Sequence, residues 1–180
     1  MERGIREIAL DLAGVAPGRR VLEVGCGTGT LLLAARERVG PEGEVAGLDA
    51  AEPMLARVRA KAARAGAQVE LVHGLFEDMP FHDGRFDVVL SSFMIHHLPG
   101  EEVIRRGLAE VRRVLRPGGT LLVLDMQAHN RRLTPLLEDV GFDGIESGRR
   151  YRVLSFVRAK PPGALHPGPA GAARRRSPPL

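Results

Sequence analysis

The chain has 180 residues, of which 44% are hydrophobic and 27% charged, a composition typical of one globular domain and not of a fibrous or wholly disordered protein. It has no Trp and a single Cys, which argues against aromatic stacking on a nucleic acid, an internal disulfide and a Cys-rich metal site. The net charge of +4 is concentrated in the last twenty residues, which hold three arginines and no acid, whereas residues 1–160 carry 23 basic and 22 acidic side chains. We therefore expect no nucleic-acid partner for the folded part.

The two ends of the chain support a simple domain organisation. No apolar run is long enough to span a membrane, and residues 1–10 mix acids with bases. We therefore expect neither a membrane span nor an export signal, and we predict a cytoplasmic location. Residues 161–180 are rich in Pro, Gly and Ala without apolar periodicity, which predicts a disordered basic tail after one domain over residues 1–160.

Apolar periodicity divides the middle of the chain into strands that alternate with helices. The predicted strands lie at 20–24, 44–49, 69–73, 86–91 and 120–125. The predicted helices lie at 28–39, 51–65, 101–115 and 131–140, and the RPGG segment at 116–119 is expected to be a helix stop and turn. Two closing strands, at 143–147 and 151–158, are expected to form a hairpin that turns at Gly148-Arg149.

This alternation predicts a doubly wound α/β fold, with a seven-stranded, mostly parallel sheet and helices on both faces. The closing hairpin makes one strand antiparallel near an edge. Ligands of such sheets bind beyond the carboxyl ends of the strands, where the winding reverses. The loops at 25–29, 49–50, 74–77 and 91–97 are therefore the candidate binding loops.

The first of these loops places glycine at three alternate positions between a strand and a helix. Such glycines let the backbone approach a ligand, and the N–H groups at the start of the helix favour a pyrophosphate or a carboxylate. A dinucleotide fingerprint, G-x-G-x-x-G, requires glycine at position 30, which is Thr30 here. The loop therefore disfavours an NAD-dependent oxidoreductase, which we keep as an alternative.

Asp49 closes the second predicted strand, 20 residues after Gly29. A carboxylate there can accept hydrogen bonds from two vicinal ribose hydroxyls, or it can favour the N-terminus of the following helix. The first role supports an adenosine ligand without naming the cofactor, since more than one class of adenosine cofactor requires it.

Four segments together resemble the class I S-adenosylmethionine-dependent methyltransferases. These are VLEVGCGTG at 21–29, GLDAAEPML at 47–55, FEDMPFHDGRFDVVLSSFMIHHL at 76–98 and EVRRVLRPGGTLLVLD at 110–125. Their order and spacing are similar to those of the small-molecule branch that includes the quinone C-methyltransferases, over about residues 15–160. The resemblance implies a Rossmann-like fold, S-adenosylmethionine as the cofactor, and methyl transfer to a small-molecule acceptor.

The resemblance also implies which residues hold the cofactor. The loop at 25–29 would wrap its methionine part, Glu23 would lie beneath, oriented to the ammonium, and Asp49 would bind the ribose hydroxyls. Ser91 or Ser92 would meet the ammonium as well. The complete set is Glu23, Gly25, Cys26, Gly27, Thr28, Gly29, Asp49, Ala50, Met54, Leu75, Phe76, Glu77, Ser91 and Ser92, of which Ala50 and Met54 would pack on adenine or ribose and Phe76 and Glu77 would flank the adenine.

One segment departs from the family pattern. Many relatives read G-D-A or G-N-A after the third strand, with the polar residue hydrogen-bonded to the adenine amino group, whereas this chain reads Gly74-Leu75-Phe76. Leu75 cannot make that bond, so either Glu77 or Asp78 replaces it, or backbone and packing alone hold the adenine. We expect weaker discrimination of adenine as a result.

His96 and His97 follow the fourth strand, beside the expected position of the methyl group. Because His titrates near neutral pH, either could act as a general base or anchor the acceptor; otherwise one imidazole only bonds backbone. Adjacent residues of an extended chain point apart, so we expect no two-His metal site, and no other arrangement predicts a metal.

The acceptor side of the site is expected to be small. Only about 20 residues precede the first strand, where relatives often carry substrate-capping helices, and the segment between 125 and 131 is short. We expect a shallow acceptor pocket, or one that a second subunit of a homodimer completes. A non-catalytic cofactor-binding module that acts through a partner remains a further alternative.

Overall fold

Short apolar runs form the strands of one sheet in the computed structural model, which describes residues 3–150 and 154–162. The strands are β1 (Arg20–Val24), β2 (Glu44–Asp49), β3 (Glu70–His73), β4 (Phe86–Ser92), β5 (Leu115–Met126), β6 (Asp143–Arg150) and β7 (Leu154–Lys160). The helices are α1 (Arg3–Ala13), α2 (Thr30–Val39), α3 (Glu52–Ala65), α4 (Glu101–Val114) and α5 (Gln127–Asp139), with a 3₁₀ turn at Ile95–His97.

The strand order in the described sheet is β3-β2-β1-β4-β5-β7-β6. Strands β1 to β5 pair in parallel, and β7 runs antiparallel to both of its neighbours, β5 and β6. The prediction of a seven-stranded, doubly wound sheet with one reversed strand near an edge is confirmed. The winding reverses between β1 and β4, which locates the expected binding edge at the carboxyl ends of these two strands.

Both faces of the sheet are buried, which explains why its strands read as continuous apolar runs. Leu22 and Val89 point to the face covered by α4 and α5. Val21 and Leu90 point to the opposite face, which packs on α1, α2 and α3. Each fully buried aliphatic side chain of this kind contributes about 1.5–3 kcal/mol to the stability of the fold.

The prediction of a turn at Gly148-Arg149 was wrong. Gly148 pairs with Phe156 and Arg149 with Ser155, so both lie within β6, and the connection to β7 at 151–153 lies outside the described residues. A Cβ at Gly148 would lie 2.5 Å from Phe156 Cε1. Glycine here permits close packing of the cross-strand ring and does not mark a turn.

The RPGG segment was also misassigned, since residues 116–119 belong to an irregular start of β5. Leu115 pairs with Phe86, and the register then shifts before Val88 pairs with Thr120. Gly118 has a φ of 72°, a left-handed conformation that suits glycine in such an irregular segment.

Helix α1 was not predicted, although it completes one face of the sheet. Ala9 and Leu10 are buried against the same apolar cluster as Leu122 and Leu124 of β5. Within the described residues, no helix is long and apolar enough to cross a bilayer. Beyond position 162, the tail predicted for 161–180 lies outside the described residues. The disordered tail therefore stays a prediction.

Candidate functional site

A cavity of about 600 Å³ opens at the switch point, beyond the carboxyl ends of the parallel strands. Its wall is mostly apolar and, within the described residues, includes the titratable side chains of Asp49, Glu77 and His97. Eight of the fourteen predicted cofactor residues line it, namely Gly25, Gly27, Asp49, Ala50, Met54, Leu75, Phe76 and Glu77. Six of the predicted residues are not among those that line it, namely Glu23, Cys26, Thr28, Gly29, Ser91 and Ser92.

The glycine loop between β1 and α2 requires glycine for two reasons, its backbone conformation and the space around it. Gly25, Gly27 and Gly29 all have positive φ, of 64°, 51° and 74°. A Cβ at Gly25 would lie 2.2 Å from Met94 Cγ, and one at Gly29 would lie 2.7 Å from Val58 Cγ1. A Cβ at Gly27 would meet nothing within 4 Å. The loop is therefore packed at both ends and has free space at its centre, where a ligand can approach the backbone.

Asp49 fastens the glycine loop to the end of β2. Its Oδ2 accepts a hydrogen bond from the Gly27 N–H at 2.7 Å, and its Oδ1 accepts one from the Ala51 N–H at 2.9 Å. Each carboxylate oxygen has further lone pairs, so both can still accept hydroxyl donors from the cavity. The two roles considered for Asp49 are thus compatible, because it can support the start of α3 and bind a diol at once.

Glu23 is a buried carboxyl on β1, directly below the loop, and only 2% of it is exposed. Burial raises its pKa well above the ordinary value of 4.5, the Leu32 backbone N–H opposes this, and the charge of Asp49 raises the pKa further. Its Oε2 has no hydrogen-bond partner among the described residues. Such an oxygen is available to the ammonium of a ligand, directly or through water, and the residues present fit an amino-acid moiety in the loop.

Ser91 provides a second buried acceptor at the switch point. It pairs with Val24 across the β1–β4 register, and its Oγ has no hydrogen-bond partner within the described part of the chain. Ser92 follows as the last residue of β4. Neither lines the cavity by its side chain, so any contact of theirs with a ligand would come from the backbone or from below.

Cys26 is not a nucleophile. The pKa of its thiol is raised to about 12, chiefly by burial and in smaller part by the neighbouring carboxyls of Glu23 and Asp49. The side chain is a neutral thiol at physiological pH and belongs to the apolar cluster under α2.

The two adjacent histidines have different environments. His96 Nδ1 lies 2.7 Å from Asp125 Oδ1, and the His96 backbone N–H donates to Asp125 Oδ2 at 3.3 Å. His97 lines the cavity. Our expectation that the two side chains point apart along an extended chain was wrong, because they lie on a 3₁₀ turn with ring centroids 4.0 Å apart. Even so, the described residues contain no group of three or more His, Cys, Asp or Glu that could hold a metal ion.

Asp125 was missed by the sequence analysis, although one signal pointed to it. It ends the buried apolar run of β5 next to the switch point, where a carboxylate needs a partner. The structure shows it fully buried, with Oδ1 also accepting the Met126 N–H at 2.7 Å. It ties the end of β5 to the 3₁₀ turn at the cavity.

A strained backbone position adjoins this turn. Phe93 has a φ of 52°, and it is the non-glycine residue with positive φ in the described part of the chain. Its N–H donates to the Leu124 carbonyl at 2.9 Å, and the residue lines the cavity. Strain of this kind, of order 1–3 kcal/mol, is characteristic of ligand-binding segments.

The glycine loop after β1 and Asp49 at the end of β2 meet at the switch-point cavity. This arrangement is that of an α/β domain that binds an adenosyl ligand. Residues 21–119 match the family model described as a methyltransferase domain, and the chain belongs to that family. This match confirms the resemblance to the class I S-adenosylmethionine-dependent methyltransferases, and the alternative classes are not favoured.

Curated proteins to which this chain is similar include demethylmenaquinone methyltransferases. The chain is 39% identical over 121 residues to a demethylmenaquinone methyltransferase of Bacillus cytotoxicus, covering 67% of this chain and 50% of the relative. It is 39% identical over 126 residues to the protein of the same name from Listeria monocytogenes serotype 4a, covering 69% of this chain and 52% of the relative. The chain thus spans about half the length of the curated relatives it matches.

Solved structures show the same fold over most of the chain. A SAM dependent methyltransferase from Aquifex aeolicus superposes with a TM-score of 0.75 at 26% identity, covering 86% of this chain and 88% of that one. The YcgJ protein from Bacillus subtilis superposes with a TM-score of 0.73 at 16% identity, covering 91% of this chain and all of the other. The second likeness shows the fold alone.

Proposed function

We propose that the protein binds S-adenosylmethionine in the switch-point cavity and transfers its methyl group to a small-molecule acceptor. The observation that carries this proposal is the position of Asp49, whose carboxylate lies on the cavity wall while bonding the N–H of Gly27 in the loop. The carboxylate that would accept the ribose hydroxyls is thereby held next to the glycine loop that would hold the amino-acid end of the ligand.

The chemistry demands little of the protein beyond position. When bound, S-adenosylmethionine would supply a methyl group activated by its positively charged sulfur, with S-adenosylhomocysteine as the leaving group. The chain holds the two reactants in line and keeps water out, and orientation of this kind lowers barriers by several kcal/mol, up to about 7–11 kcal/mol in well-oriented systems. The lack of a catalytic triad among the described residues is consistent with this reaction.

The cofactor residues have separate roles in this proposal. Asp49 accepts the ribose hydroxyls, Met54 and Phe76 pack on the adenosine, and Glu23 takes the ammonium from below. The raised pKa of Glu23 favours this last role, because a cation at Oε2 would offset the cost of ionising a buried carboxyl.

We propose a quinone-like or hydroquinone acceptor. The support is the name of the curated relatives together with the apolar wall that Met94, Leu98 and Val103 give the cavity on the side of the 3₁₀ turn. His97 is the titratable side chain on that side within the described residues, and we assign to it the role of general base or acceptor anchor. His96, turned to Asp125, holds the turn in place.

Three further expectations accompany the proposal and stay predictions. The buried free thiol of Cys26 is consistent with a reducing, cytoplasmic location. A homodimer that completes the acceptor pocket and the absence of a nucleic-acid partner are the other two.

The test is equilibrium binding followed by turnover with the chain as it is. Titration calorimetry should show S-adenosylhomocysteine binding and no comparable binding of NADH; the reverse order would favour an oxidoreductase. With a panel of quinols, phenols and amines, formation of S-adenosylhomocysteine from S-adenosylmethionine should appear first with the quinols. Cofactor binding without turnover on any acceptor would instead favour a non-catalytic module.

A further inference from the structure

Gly107 lies in the interior of α4 and is buried there, although glycine is among the poorest helix formers. A packing reason is visible at this position. A Cβ on residue 107 would lie 1.9 Å from Phe76 Cδ1 and 2.0 Å from Phe76 Cε1. The aromatic ring therefore occupies the space that any side chain at 107 would need.

Phe76 connects this packing to the candidate site. It follows β3, only 7% of it is exposed, and it forms part of the cavity wall. The ring belongs to the same apolar cluster as Leu108 and Val111 of α4 and lies against Gly107, while the residue also lines the cavity. The helix surface at Gly107 thus sets how far the ring stands out from that wall.

The neighbours of Phe76 offer one charged side chain, Glu77, to the cavity. Leu75 is half exposed and lines the cavity with an apolar side chain. Of the two carboxylates considered as replacements, Glu77 lines the cavity and Asp78 does not; the Asp78 N–H bonds back to the Leu75 carbonyl. This segment can therefore offer adenine a carboxylate for its amino group, at Glu77, and packing against its flat face, at Phe76.

We propose that Gly107 and Phe76 are a coupled pair that determines the shape of the adenine subsite. The missing side chain at 107 lets the ring of Phe76 seat against α4 and keeps it out of the space for the base. A methyl group at 107 would drive the ring toward the open side, which is the cavity, since the helix closes the other side. This inference rests on the proposed function, because it assigns the Phe76 wall to adenine.

A double-mutant cycle tests the coupling. Gly107→Ala should weaken S-adenosylhomocysteine binding by about tenfold, within the range of couplings between contacting residues. In the Gly107→Ala/Phe76→Ala variant the affinity should return to that of Phe76→Ala alone, since the clash is gone. Arg106→Ala, an exposed change on the same helix, should leave the affinity unchanged. Purely additive effects of the two substitutions, or an unchanged affinity of Gly107→Ala, would overturn the proposal.

A second measurement does not depend on whether Gly107→Ala folds. Phe76→Ala in the otherwise unchanged chain should open the subsite, so that an N6-benzyl analogue of S-adenosylhomocysteine binds about tenfold better than it does to the parent protein. No gain would overturn the role given to Phe76. Failure of the parent protein to bind S-adenosylhomocysteine itself would count against the proposed function and not against the pairing of Gly107 with Phe76.

Discussion

Asp125 Oδ1 lies 2.7 Å from His96 Nδ1 and ties the end of β5 to the 3₁₀ turn that follows β4. Asp125 is fully buried, and it accepts three hydrogen bonds, from the ring and backbone of His96 and from the Met126 N–H. The pair thereby fixes the turn on which His97 reaches the cavity. The two adjacent histidines therefore have different environments, since His96 is bonded to Asp125 and His97 lies on the cavity wall.

The first prediction separates these two roles. Asp125→Ala should lower the free energy of unfolding by roughly 2–4 kcal/mol, because three hydrogen-bond donors lose their fully buried acceptor. His97→Gln should leave stability within about 0.5 kcal/mol of the parent, as expected for an exposed position, while lowering methyl transfer. Urea denaturation and turnover assays on both variants check this. A large loss of stability in His97→Gln with unchanged turnover per folded molecule would contradict it.

The second prediction concerns Asp49. Asp49→Ala should weaken S-adenosylhomocysteine binding by about tenfold or more, if hydrogen bonds to a charged group are worth about 1.5–3 kcal/mol. Part of that loss comes from releasing the Gly27 N–H, which loosens the loop. Calorimetric titration measures the change, with Asp143→Ala, an exposed acid on the far edge strand β6, as the control. Unchanged affinity would mean that the ribose is held elsewhere.

The third prediction separates steric contact from backbone strain in the glycine loop. Gly25→Ala should abolish measurable cofactor binding, since its Cβ would lie 2.2 Å from Met94 Cγ at a φ of 64°. Gly14→Ala is the matched control, because Gly14 has a φ of 71° with nothing within 4 Å of its Cβ position. It should lose only about 1–2 kcal/mol of stability from the left-handed conformation and keep full affinity. Equal loss of affinity in both variants would refute the role of the Met94 contact.

The fourth prediction follows from the raised pKa of Glu23. A carboxyl whose pKa is higher in the folded than in the unfolded state is favourable below the unfolded value, and that stability is lost as the pH rises through the folded pKa. Relative to Glu23→Gln, which cannot ionise, the parent protein should therefore lose stability as the pH rises above the ordinary value of 4.5. Urea denaturation of both proteins at several values between pH 5 and pH 8 measures the difference. A difference that stays constant across this interval would show that Glu23 does not titrate with a raised pKa.

Much of the fold could be predicted from local patterns. The bounds of β1 and β2 agree with the predicted 20–24 and 44–49, because short and mostly apolar runs leave few alternatives to a doubly buried strand. The loop at 25–29 and Asp49 were predicted for the same reason, as they follow directly from where those strands end. Their meeting at the cavity required only the rule that parallel strands share one carboxyl edge.

Glycines outside the loop show where such patterns fail. Gly148 and Gly118 both resembled turn signals, yet the first lies opposite Phe156 and the second lies in an irregular strand. Glycine is favoured wherever the backbone turns and also wherever another group comes close, and a sequence does not distinguish the two. No local pattern explains Gly107, because the group that requires glycine there is the ring of Phe76, 31 positions earlier in the chain.

By itself, the sequence determined the alternation of strands and helices, the switch-point loops and the family to which the chain belongs. The tertiary structure alone decided which side chains share a wall: that His97 and not His96 lines the cavity, that Asp125 holds the turn, and that Glu77 and not Asp78 reaches the site. The physical reason is the distance along the chain over which each kind of interaction acts. Periodicity and turn chemistry act between neighbours along the chain, whereas contacts such as Asp125 with His96 or Gly107 with Phe76 form only after the sheet has brought distant segments together.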